Sequence, residues 1–219
     1  MFTRWPDSLP CSVELCMPCL PGRDARVDET PISDMSALVE ALVPEMAPLA
    51  TAQYALFGHS TGAFIAFELA HALSELGHPP SHLFVSAQRG PSLPNPAKPI
   101  YNLPEQEFLN QVLGRYASIP KLLLEQDDLM KIVLRTLRAD FTLNETYQYC
   151  ERDRLNCPVT AFSGTQDANV SSAQVKLWGA ETSGRFTLLG INGGHFFHQE
   201  SRGELLSFIR AELGSIETR

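Results

Sequence analysis

No run of about eighteen consecutive apolar residues occurs in this 219-residue chain, so no membrane-spanning helix is expected. The first ten residues, MFTRWPDSLP, lack the apolar stretch of a secretory signal. A cytoplasmic protein, with no membrane partner, is the expectation that follows. Basic charge is also short: 17 Lys and Arg stand against 25 Asp and Glu, a net charge of -8. Without a basic surplus to displace counterions from phosphates, nucleic acid is excluded as a natural partner. An acidic protein partner would need a local basic patch, for which Arg23, Arg26 and Arg89 are candidates by position. Five cysteines, an odd number, do not make a secreted disulfide framework. There is no internal repeat or low-complexity tract, and no linker marks a second domain. What remains is a chain with 44% hydrophobic residues, enough for one domain with a sizeable core.

Cys16-Met-Pro-Cys19 has the spacing of a redox dithiol. Such motifs open helices, whose N-termini lower the thiol pKa. Here the motif closes an apparent strand and precedes a Pro-Gly turn, and Cys150 and Cys157 have no zinc-ligand spacing. The cysteines are therefore read as packing residues.

Strand and helix patterns alternate along the first part of the chain. Residues 12–17 read as a strand. Ser33 or Asp34 can cap a helix reaching about Leu49, with Leu38, Leu42 and Met46 on one stripe. Residues 54–57 read as a strand, 61–76 as a helix stopped by Gly77, and 82–87 as a short buried strand. Residues 89–104 hold five prolines, and two helical patterns follow at about 104–116 and 126–149. This helical insertion, about 90–150, is a candidate cap over a site. The alternation then resumes: strand 158–163, helix 172–180, strand 185–191, helix 199–213. That order implies one domain, a mostly parallel sheet flanked by helices, over residues 1–219.

The most informative stretch is YALFGHSTGAFIAFE, residues 54–68. It sets G-x-S-x-G between a strand and a helix, as a nucleophile elbow requires. Gly58 and Gly62 are expected to make room for the tight turn and the strand–helix crossing. A serine hydroxyl needs a base, and the base an orienter. In α/β-hydrolases the acid and then the histidine follow the serine, on loops after later strands. Asp167 lies just beyond the strand at 158–163. His195 lies just beyond the strand at 185–191, after two glycines and before two aromatic residues. Ser60, Asp167 and His195 thus form the expected catalytic triad. The backbone N–H of Thr61, at a helix N-terminus, is the expected oxyanion donor. His59 neighbours Ser60, but an elbow is expected to turn its side chain away. His198 is expected to begin the last helix, and Asp127, Asp128 and Asp140 fall in the insertion.

The chain resembles the type II thioesterases, free-standing editing hydrolases that accompany polyketide and nonribosomal peptide synthases. It is likewise similar to medium-chain acyl-carrier-protein thioesterases. The resemblance rests on RWPDSLP (4–10), CLPGRDARVDE (19–29), YALFGHSTGAFIAFELA (54–70), LFVSAQRGP (83–91), LRADFTLNETYQY (137–149), PVTAFSGTQD (158–167) and GGHFF (193–197). It implies an α/β-hydrolase fold with a helical lid. It implies hydrolysis of acyl groups from the phosphopantetheine arm of carrier proteins, through an acyl-enzyme on Ser60, with no metal or redox cofactor. A monomer is expected. Carboxylester hydrolases and acyltransferases share the triad, and a carrier-binding remnant without turnover is the reading from another class.

Two departures accompany the resemblance. Thr61 stands where the family usually has Met, which leaves the backbone donor in place. The family's first strand and its His-x-Gly-Gly loop, source of a second oxyanion N–H, have no counterpart before RWPDSLP. The family pattern places that strand between residues 12–17 and the elbow strand. The expectation drawn from this is that Met1 is an internal start, in a chain truncated relative to the family.

Overall fold

Four apolar runs of five or six residues pair side by side in the structure, a computed structural model that describes residues 2–116 and 126–217. They are β1 (Ala55–His59), β2 (His82–Ser86), β3 (Val159–Gly164) and β4 (Phe186–Ile191). All pairings are parallel and the order is β1-β2-β3-β4. Every residue of β2 and β3 is buried, as the interior strands of a parallel sheet covered on both faces require.

Side chains alternate between the two faces of the sheet. Leu83, Val85, Val159 and Ala161 pack with Phe64, Phe67, Val175 and Trp178 on one side. Phe84, Phe162 and Ile191 pack with Trp5, Phe197, Leu205 and Leu206 on the other. The first face is covered by α2 (Thr61–Glu75), the second by α7 (Arg202–Glu217). α1 (Met35–Met46) is capped by Asp34, whose Oδ1 accepts the Ala37 N–H at 2.9 Å, and buries Leu38 and Leu42 against α2. Gly77, at φ +86°, closes α2 in the left-handed conformation that glycine adopts without strain.

The insertion folds as two helices, α3 (Glu105–Tyr116) and α4 (Asp127–Glu145); residues 117–125 of the expected insertion lie outside the described residues. The two helices have their own small core of Ile100, Phe108, Val112, Met130 and Leu134. Glu145 binds the insertion's start: Oε2 accepts the N–H of Ile100 at 2.8 Å and of Tyr101 at 2.9 Å. α4 is tied to the 19–29 loop. Arg23 pairs with Asp140 at 2.6 Å, and Thr136 Oγ1 donates to the Gly22 carbonyl at 2.8 Å.

Several sequence expectations need correction. Residues 12–17 form no strand. Their alternation permits an extended chain, but a strand needs a ladder partner, and β1 pairs only with β2 among the described residues. The helix expected at 172–180 is a four-residue α5 (Ser172–Val175) followed by a 3-10 turn, Lys176–Glu181. The expected last helix is interrupted at Ser201: α6 (Phe197–Glu200) precedes α7, so His198 belongs to a separate short turn. No basic patch forms from the three arginines. Arg89 is 6% exposed, and Arg26 pairs with Glu29 and Arg23 with Asp140. Cys16 and Cys19 are free thiols, the first exposed. Among the described residues no helix is long and apolar enough to cross a membrane.

The core also holds neutral histidines. Burial pushes His71, His82 and His198 down to about 4, and His59 well below 6.5. Their folded values lie below the unfolded one, so the unfolded chain binds more protons between pH 6.5 and 4. Stability is therefore complete above that window and falls as acid is added. Asp140, raised by burial, acts in the opposite sense but is a single group. We expect the urea midpoint to drop steadily from pH 7 to pH 5, by on the order of 1–2 kcal/mol for each buried ring. A midpoint constant across that range would contradict the burial of these rings as neutral groups.

Candidate active site

The turn between β1 and α2 forces Ser60 to φ +53° and ψ -129°. For a residue with a side chain this is a strained conformation, costing about 1–3 kcal/mol. Two backbone bonds hold it. The Ser60 N–H donates to the Ser86 carbonyl, and the Ala63 N–H donates to the Ser60 carbonyl, both at 2.8 Å. Gly58 is required by packing: a Cβ there would lie 2.1 Å from the Gly62 carbonyl oxygen. Gly62 differs from the sequence expectation, since a Cβ there would meet no atom within 4 Å. The crowding is therefore at Gly58, against the backbone of Gly62. Thr61 opens α2, in the first turn, where amides lack intrahelical acceptors.

Asp167 and His195 come from the loops after β3 and β4, which lie against each other. The Thr165 N–H donates to the Ile191 carbonyl and the Gln166 N–H to the Gly193 carbonyl, both at 2.9 Å. Gly193, at φ +125°, makes the turn that sets His195 over the sheet's end. The Asp167 side chain has no exposed surface. Its Oδ1 accepts the N–H of Asn169 at 2.8 Å and of Val170 at 3.2 Å. Its Oδ2 lies 2.9 Å from His195 Nδ1, and His195 Nε2 lies 3.1 Å from Ser60 Oγ. A carboxylate only accepts, so Nδ1 carries the proton and Nε2 is left to accept from the Ser60 hydroxyl. The three residues singled out from sequence are thus brought into one hydrogen-bonded chain.

Around this chain lie groups that the sequence reading missed or placed differently. His59 turns away from Ser60, and its Nδ1 lies 2.9 Å from Ser86 Oγ. Its ring is 3.9 Å from that of His198 and 5.4 Å from that of His195, centroid to centroid. Desolvation first, then the neighbouring His198 and His195 rings, hold His59 well below its usual value; burial and His195 do the same for His198. Both rings are neutral at pH 7, so neither places a positive charge beside His195. Tyr116, at the end of α3, sets its ring 5.0 Å from the His195 ring, and Phe196 stands edge-on to the same ring at 5.4 Å. Phe196 was legible as part of GGHFF. Tyr116 carried no signal beyond the apolar stripe of its helix.

A strained serine at a strand–helix elbow, with a histidine and a buried aspartate in that chain order on a parallel sheet, defines an α/β-hydrolase fold. Comparison with known proteins narrows the class. The thioesterase domain family model matches residues 1–213, and the chain belongs to that family: it is a thioester hydrolase. Gramicidin S biosynthesis protein GrsT of Aneurinibacillus migulanus is 35% identical, over 97% of this chain and 83% of that protein. The solved structure of RedJ, a thioesterase from the prodiginine biosynthetic pathway in Streptomyces coelicolor, is 33% identical. It superposes with a TM-score of 0.88, over 96% of this chain and 80% of RedJ. Linear gramicidin dehydrogenase LgrE of Brevibacillus parabrevis is 36% identical, over 98% of this chain and 83% of that protein. The dehydrogenase in that name has no echo at the elbow of this chain, which reads G-H-S-T-G where a dinucleotide-binding turn carries G-x-G-x-x-G.

The two elbow glycines make a sharp comparison. Gly58→Ala should destabilise the fold by about 1–3 kcal/mol or more, because backbone cannot yield to a Cβ as a side chain can. Gly62→Ala should leave the urea midpoint within about 0.5 kcal/mol of the original or raise it, since Ala suits a helix better than Gly. Equal losses in the two variants would show that the crowding is not confined to Gly58.

Proposed function

We propose that Ser60, His195 and Asp167 act as a catalytic triad that removes acyl groups from the phosphopantetheine arm of synthase carrier proteins. The observation that carries this reading is the continuous contact from Asp167 Oδ2 through both His195 nitrogens to Ser60 Oγ, at 2.9 and 3.1 Å. The relatives support the substrate class: RedJ is a biosynthetic-pathway thioesterase, and ClbQ, 25% identical with a TM-score of 0.92, comes from the colibactin NRPS/PKS pathway. An editing or release role, clearing carrier arms, is the reading for this chain.

The chemistry follows from the hydrogen bonds. Ser60 Oγ attacks the thioester carbonyl carbon while His195 Nε2 takes its proton. The tetrahedral oxyanion is stabilised by the Thr61 N–H, which costs no reorganisation because the helix already holds it. The intermediate collapses as His195 Nε2 passes its proton to the departing sulfur, which leaves as the thiol of the arm, and Ser60 carries the acyl group. A thiolate leaves readily, so His195 has less acid work here than in amide cleavage. Water then attacks the acyl-enzyme, giving its proton to His195 Nε2, which passes it to Ser60 Oγ as the free acid departs. Throughout, Asp167 holds Nδ1–H and stabilises the imidazolium. The buried neutral state of His59 and His198 assists, because a charged neighbour would oppose that imidazolium. The insertion at about 90–150 serves as the lid over the acyl group.

Replacing Ser60 by Ala should lower hydrolysis of an acyl-carrier thioester by about 10⁴-fold or more with the urea midpoint unchanged. Asp167→Asn should cost about 10⁴-fold in kcat, through the wrong tautomer at His195. Turnover of the Ser60 variant at the original rate would refute the mechanism. A strong preference for simple esters over carrier thioesters would reassign the substrate to carboxylesters, and transfer of the acyl group to an added alcohol would reassign the reaction to acyl transfer.

A further inference from the structure

α3 ends against the base of the proposed triad and against Asn169, a neighbour of its acid. Tyr116 lays its ring against His195, 5.0 Å between centroids with the planes at 56°. One residue earlier, the Arg115 carbonyl accepts from Asn169 Nδ2 at 3.1 Å. Asn169 is the same residue whose N–H donates to Asp167 Oδ1 at 2.8 Å. The end of the insertion is therefore coupled to His195 through a ring face and to Asp167 through an asparagine.

The two in-plane hydrogen bonds of His195 fix the line from Nδ1 to Nε2. They do not stop the ring from rocking about that line, and what does so must press on a face or an edge. Phe196 stands edge-on to the ring, and the His59 ring lies 5.4 Å away at 60°. Tyr116 adds a contact from the insertion. It is braced from behind by Phe141 at 5.9 Å, which in turn meets Phe108 at 5.5 Å in the insertion's own core. No described residue forms a hydrogen bond with the Tyr116 hydroxyl, so the ring, rather than the phenol, makes this contact.

We propose that Tyr116 is a positioning residue for His195: its ring holds the imidazole in line with Ser60, and Asn169 ties the same helix end to Asp167. Alignment of the base is thereby set by the seating of the insertion on the sheet. This rests on the triad reading above. The consequence is specific: loss of the ring slows each proton transfer through His195 and leaves binding of the acyl arm nearly unchanged.

The test uses the full chain, a carrier-bound acyl thioester, and a fluorophosphonate that labels an activated serine without needing the carrier. Tyr116→Ala should lower kcat by about tenfold or more with KM within about twofold, since small misplacement of a reacting group is costly. The rate of fluorophosphonate labelling at Ser60 should fall by a similar factor. Tyr116→Phe should restore both to within about twofold, because it keeps the ring. Asn169→Ala should give a smaller loss in the same two readouts. Should Tyr116→Ala fail to fold, Tyr116→Leu keeps the bulk without the flat ring and should still lose about threefold or more in labelling rate. Unchanged or faster labelling in a folded Tyr116→Ala or Tyr116→Leu chain, beside normal labelling of the original protein, overturns this inference alone. So does a Tyr116→Phe chain as impaired as Tyr116→Ala. Failure of the original chain to label at all overturns the triad reading and this inference with it.

Discussion

The backbone of Ser60 is the constraint on which the site depends. At φ +53° the chain reverses from β1 into α2 within one residue, and this geometry aims Oγ out of the sheet toward His195. The strain of about 1–3 kcal/mol is not relieved locally. It is offset by the packing of what surrounds it: Ser60 is bonded to Ser86 on the neighbouring strand, Gly58 lies against Gly62, and α2 buries Phe64 and Phe67 in the core. The elbow can be strained because both elements it joins are anchored. β2, buried along its full length, supplies the carbonyl that receives the Ser60 amide.

A second constraint concerns charge. In the proposed mechanism His195 holds a proton transiently, which requires that its surroundings tolerate one positive ring and no more. Asp167 supplies the compensating charge from a fully buried position, with its other oxygen occupied by two backbone amides. His59 and His198 supply bulk without charge, because burial keeps both neutral. Among the described residues, one buried nitrogen of each imidazole has no hydrogen-bond partner, Nε2 of His59 and Nδ1 of His198. An unpartnered buried nitrogen gives a proton nothing to stabilise it, consistent with the direction in which these groups shift.

How much of this was legible in the sequence depends on whether the deciding interaction is local. Ser60, Asp167 and His195 were legible because each sits at a strand's carboxyl end, and such ends can be found from apolar runs followed by glycine or turn residues. β2 and β3 were legible for the same reason. Residues 12–17 misled because alternation reports that a chain can extend, whereas pairing is decided by a neighbour elsewhere in the chain. The break of the 172–180 helix into a 3-10 turn was equally invisible: Trp178 is fully buried and donates to the Gln88 carbonyl at 2.8 Å, a partner ninety residues away. Gly62 looked like a packing glycine by analogy with Gly58, and only coordinates tell the two apart. Tyr116 was missed because an aromatic residue on an amphipathic helix has the same signature whether it faces a core or an imidazole.

The insertion is joined to the site by more than its proposed role as a lid. α4 is bound to the sheet side of the molecule through Asp140, Thr136 and Asn144, the last accepting from the buried Arg89 at 3.1 Å. α3 hangs from α4 through Glu145, which accepts the Ile100 and Tyr101 amides and faces Arg115 at 3.7 Å. Arg138 of α4 reinforces this by donating to the Leu103 carbonyl at 2.8 Å. The position of Tyr116 over His195 is thus inherited through a chain of partly buried polar contacts that begins at the loops beside the sheet. In a rigid, closely packed interior such contacts have few alternative arrangements. A substrate that reseats α3 must then alter the surroundings of His195, so the proposed lid is physically joined to the proposed base.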